Sequence, residues 1–126
     1  MRRSADEYLN DIVSWGQDVA DHIDGLSRET FRGDTMAQHA VAYAVQVVGE
    51  AAKQLSARWP EAAAPLAPDI GGAIAMRDFL AHGYLRIDPD VLWDTATISV
   101  PEFAEHVRKH IEATATGKGT SEGTSA

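Results

Sequence analysis

Apolar positions along the chain recur every three or four residues, and no stretch alternates in the way of a half-buried strand. In the first run Tyr8, Leu9, Ile12, Val13, Gly16, Val19, Ala20 and Ile23 fall on one stripe, while Asp11, Gln17, Asp18 and Asp21 face away. This predicts a helix over 5–24, opened by a capping box of Ser4 with Glu7 and closed by Gly25 as the residue beyond its C-terminus. Residues 26–33 read as a short connecting turn that tucks Phe31 back onto the core. A second helix is expected from Asp34 or Thr35, with Gln38 completing a box, to Trp59, where Pro60 stops it. Its stripe includes Ala37, Ala40, Ala44, Ala51 and Ala52, small residues that allow a neighbouring helix to approach closely.

Residues 61–68 read as an Ala/Pro loop, and a third helix is expected to start near Asp69. Asp88-Pro89-Asp90 is a strong start signal for a fourth, since Asp caps, proline suits the first turn and a second carboxylate favours the positive end of the helix dipole. That helix reaches Ile111, and Pro101 inside it should kink or split it. From Thr114 onward apolar residues are too few to pack. The pattern thus predicts an all-α fold, an antiparallel four-helix bundle with a short connecting element and a kinked last helix, over residues 1–113, followed by a disordered tail over 114–126.

Composition narrows the chemistry. The 126 residues suffice for one domain with a core, at 44% hydrophobic and 24% charged. There is no cysteine, which removes disulfides, thiolate nucleophiles and zinc knuckles, and fits a cytoplasmic setting. Met1-Arg2-Arg3-Ser4 leads into Ala5-Asp6-Glu7 with no apolar run after it, so neither a signal peptide nor a membrane anchor is expected. A net charge of −8 argues against indiscriminate coating of nucleic acid, which needs a strongly positive face.

The stretch richest in chemistry is Met76-Arg77-Asp78-Phe79-Leu80-Ala81-His82-Gly83-Tyr84-Leu85-Arg86. Histidine moves protons near neutral pH, arginine holds phosphoryl oxygens as negative charge builds, and a tyrosine hydroxyl can orient a phosphate. This set suits cleavage of an RNA phosphodiester by its own 2′-hydroxyl, with no metal or other cofactor. Asp78 and His82 are i,i+4 neighbours, so Asp78 is expected to orient the imidazole. Arg77 and His82, five apart, point roughly 140° away from each other on a straight helix, which a distortion near Gly83 or a second subunit would resolve.

Arg77-x4-His82-x-Tyr84, with Gly49-Glu50-Ala51-Ala52-Lys53 upstream and Ile87-Asp88-x4-Trp93 downstream, resembles the HepT-like branch of the HEPN ribonuclease superfamily over residues 8–111. The position after the motif arginine is often asparagine in that superfamily, whereas here it is Asp78. The resemblance implies a toxin of a two-gene, type II/VII-like toxin–antitoxin pair, acting as a homodimeric, metal-independent endoribonuclease. Arg77 and His82 would be catalytic and Asp78 and Tyr84 supporting. It also implies an MNT-type nucleotidyltransferase antitoxin that transfers AMP to Tyr84. The alternative is a non-catalytic nucleotide- or partner-binding HEPN subunit of a nucleotidyltransferase complex. Gly49-Glu50 reads as a close helix crossing with Glu50 paired to a lysine or arginine; the alternative is a buried Glu50 that helps to position Arg77. His106 and His110 are i,i+4 but lack a third ligand, and read as surface residues, as do His22 and His39.

Overall fold

The computed structural model describes residues 3–82 and 88–125, with side chains to residue 115. Helices α1 (Ala5–Ile23), α3 (Thr35–Arg58), α5 (Ala67–His82) and α7 (Val100–Ser125) form the bundle, and α2 (Arg28–Arg32), α4 (Pro60–Ala63) and α6 (Pro89–Asp94) are short connectors. No strand occurs among the described residues, so the all-α bundle read from the sequence is the fold found. α3 packs between α1 and α5, and α7 lies against α1.

Two buried clusters fix the directions of the helices. One joins Leu9 and Ile12 of α1 to Leu55 of α3, Ile70 of α5 and Val107 of α7. The other joins Val19 of α1 to Val41 of α3, Leu80 of α5 and Val100 of α7. Early α1 therefore meets late α3 and Val107 of α7, late α1 meets Val100 at the start of α7, and late α3 meets early α5, which makes the neighbouring helices antiparallel. Phe31 is fully buried in the second cluster.

Local chemistry accounts for the boundaries. Ser4 accepts a hydrogen bond from the Glu7 amide, but Glu7 does not return one to the backbone; its carboxylate takes Arg3 and the Ser4 hydroxyl instead. Gly25 has φ +78°, the left-handed conformation that ends α1. Asp34 caps α3 through the Ala37 amide, while Gln38 donates to the Phe31 and Arg32 carbonyls and so closes α2 rather than a box. The Ala/Pro loop expected over 61–68 is wound into α4, a 3₁₀ turn (Ala64–Leu66) and the first turn of α5, because proline is compatible with a first turn. The kink expected at Pro101 is a widened π-turn over Thr95–Ser99, in which the Val100 amide reaches back to the Thr95 carbonyl. Pro101 has no N–H to offer and crowds the carbonyl four residues before it, so the preceding turn opens. Helical backbone continues to Ser125, past Ile111, where the last helix was expected to end, and through residues 114–125, read from composition as a disordered tail; among the described residues Ile111 is the last side chain packed on the core.

Candidate active site

Gly49 sets the position of Arg77. A Cβ at Gly49 would lie 2.3 Å from the Arg77 Cβ and 2.7 Å from the Ala73 carbonyl, so only glycine lets α3 and α5 cross this closely. The arginine side chain leaves α5 directly over this crossing. Its Nη2 lies 3.1 Å from Glu50 Oε2, and its Nη1 donates to Asp78 Oδ1 at 2.9 Å. Glu50 Oε2 is buried and makes no hydrogen bond of good geometry, so its charge is met by the guanidinium alone; Oε1 accepts from Gln54. The hydrogen bond to Asp78 and the charge of Glu50 raise the Arg77 pKa above its ordinary value. Arg77 is thus a permanent cation held from below by one carboxylate and capped by another.

His82 is the last residue of α5 and is exposed. Its Nδ1 is 2.8 Å from the Asp78 backbone carbonyl. A carbonyl oxygen only accepts, so Nδ1 carries the hydrogen, and in the neutral ring Nε2 keeps its lone pair. This departs from the expectation that the Asp78 side chain orients the imidazole: the carboxylate turns to Arg77, and the backbone one turn earlier fixes the ring. The result is an imidazole of defined tautomer at the C-terminal end of α5. Tyr84 lies outside the described residues.

A family model described as Ribonuclease HepT-like matches residues 12–110. The chain belongs to this family. It is 33% identical to the "Probable ribonuclease HepT" of Thermococcus cleftensis over 105 residues, covering 82% of this chain and 92% of the relative. A provisionally named RNase of Methanocaldococcus jannaschii is 28% identical over 113 residues, covering 88% and 94% respectively. Another, from Caldanaerobacter subterraneus, is 26% identical over 106 residues, covering 83% and 92%. No solved structure matches at a significant level.

Two features of this HepT-like chain were not read from its sequence. First, α6, which follows residues 83–87, is clipped to α2. Arg32 donates twice to Asp90, Arg28 pairs with both Asp90 and Asp94, and the Phe31 and Trp93 rings are 5.3 Å apart. The Arg32 hydrogen bonds hold the Asp90 carboxyl below its usual range. Asp90 had been read as a helix-start charge only, and a partner 58 residues away, like the Arg28–Asp94 pair 66 apart, leaves no periodic trace. Second, His106, exposed as a surface residue should be, has a partner: its Nδ1 lies 2.6 Å from Asp69 Oδ2 at the start of α5. Among the described residues no helix is long and apolar enough to cross a membrane.

Proposed function

We propose that the protein is the toxin of a toxin–antitoxin pair, a metal-independent endoribonuclease whose cleft lies on the two-fold axis of a homodimer. The observation that carries this reading is the combination of a guanidinium seated over Gly49 and an imidazole whose Nδ1 is engaged and whose Nε2 has no partner among the described residues, on one helix of a HepT-like chain. His82 Nε2 takes the proton of the RNA 2′-hydroxyl. The freed oxygen attacks phosphorus, Arg77 balances the charge on the phosphoryl oxygens, and the 5′-oxygen departs with a proton from an imidazolium. Two imidazoles, one from each protomer, supply base and acid, and pairing across the axis brings together groups that diverge on one helix.

Silencing by a cognate MNT-type nucleotidyltransferase follows from the same chemistry. AMP placed on Tyr84 adds a bulky anion beside the groups that must take the RNA phosphate. The test is growth after induction of the wild type and of His82→Ala, each alone and with the antitoxin, followed by the intact mass of the co-expressed toxin. Arrest by the wild type only, rescue by the antitoxin, and a mass gain of whole AMP units lost in Tyr84→Phe are expected. A fully toxic His82→Ala removes the catalytic assignment.

One observation favours a second reading. The Asp78 carboxylate occupies Arg77 Nη1, where a phosphate would sit, as suits a non-catalytic HEPN subunit that binds a nucleotide or the nucleotidyltransferase itself. Cells that tolerate the wild type without its partner, with no RNA cleavage in vitro, would select that reading.

A further inference from the structure

A cavity of about 230 Å³ opens behind α5, between α3, the π-turn and the start of α7. Val45, Val48, Met76 and Phe103 make its walls apolar. Gly72 stands at its mouth, where an added Cβ would meet nothing within 4 Å. On the opposite side the wall is the π-turn, a rare geometry that recurs at binding sites, and there Thr95 satisfies its own hydroxyl by donating to the Val91 carbonyl. The hydroxyl is therefore not left seeking a ligand, and the interior is apolar in effect.

The rim has a sign. Asp69 and Glu102 both line it, and no lysine or arginine does. His106 faces Asp69 from α7 and takes up Oδ2, whereas Glu102 has no side-chain partner among the described residues. An apolar hollow of about 150 Å³ accepts a benzene ring, so this one has room for a bicyclic body. We propose that the cavity is a binding site for a compact hydrophobic amine, with its ring body against Val48, Met76 and Phe103 and its ammonium at Glu102. Met76 directly precedes Arg77, so an occupant rests against the helix that carries the guanidinium.

The test is a titration of the full-length protein with tryptamine, followed by amide chemical shifts, with indole and indole-3-acetate as neutral and anionic counterparts. Tryptamine should give saturable shifts at Gly72, Ala73, Thr95 and Ser99, indole should bind more weakly, and indole-3-acetate more weakly still. Glu102→Gln should weaken tryptamine by about two- to fivefold and leave indole unchanged. Gly72→Met, which hangs a side chain across the mouth in open space, should abolish binding of both while the thermal midpoint holds or rises. Equal binding of the cationic and anionic ligands, no saturable shift for tryptamine at millimolar concentration, or unchanged shifts in Gly72→Met would each overturn the proposal. Binding is read directly, so the outcome does not depend on whether the chain cleaves RNA.

Discussion

Replacing Gly49 by alanine tests the account of how Arg77 is held, because helix propensity and packing predict opposite signs. Taken alone, Gly→Ala inside a helix stabilises by about 1 kcal/mol. At Gly49, however, the new Cβ would sit 2.3 Å from the Arg77 Cβ and 2.7 Å from a backbone oxygen. Ordinary carbon contacts begin near 3.5 Å, so α3 and α5 must separate by about 1 Å. Overpacking of this kind costs about 1–3 kcal/mol, and more when backbone must yield. Because backbone must yield here, the cost falls in the upper half of that range, about 2–3 kcal/mol, so packing wins by about 1–2 kcal/mol and the thermal midpoint falls by roughly 4–8 °C. Gly72→Ala on α5 is the control: its Cβ meets nothing within 4 Å, so propensity acts alone and the midpoint rises by a few degrees. Calorimetry on the two variants decides the matter. A Gly49→Ala protein as stable as Gly72→Ala would refute the close crossing and the seat it gives Arg77.

Three further outcomes are expected. Glu50→Gln removes the charge beneath Arg77 but keeps the shape, and should lower kcat for RNA cleavage by about tenfold with the circular dichroism spectrum unchanged; full activity would show that Asp78 alone positions the guanidinium. Asp90 is held below the ordinary carboxylate range by Arg32. Its contribution is thus present above the unfolded value near 4 and fades as pH falls through the lower folded value. The stability gap between wild type and Asp90→Asn should accordingly narrow from pH 6 toward about pH 2, and a gap independent of pH would count against the pairing. Phe31→Ala empties a fully buried site and should cost about 3–5 kcal/mol in urea unfolding, whereas a loss under 1 kcal/mol would mean that the ring is not part of the core.

Much of the bundle was legible because helices announce themselves through period and punctuation. Ser4, Gly25, Asp34, Pro60 and Asp88 mark the boundaries where the structure has them. Pairings between elements leave no such trace. Glu50 was expected to meet some lysine or arginine, with Arg77 one candidate, and the folded chain shows that the cation is Arg77. Asp78 was expected to face His82 on i,i+4 spacing, but spacing cannot say whether the carboxylate or the backbone carbonyl makes the bond. The α2–α6 clip and the Asp69–His106 pair join distant segments whose charges, taken singly, look like solvated surface.

The clip also bears on the order in which the site comes into being during synthesis. Arg28 and Arg32 leave the ribosome early, but their carboxylates on α6 lie 66 and 58 residues downstream. When Arg77 and His82 emerge, the carboxylates that pair with α2 are not yet made, and only the synthesis of Asp90 and Asp94 closes that long loop onto α2. A nascent chain therefore carries Arg77 and His82 for a time before α6 is clipped to α2. Fragments that end before Pro89 should share that condition, and they give the interval between making α5 and clipping α6 to α2 a stable counterpart that can be studied.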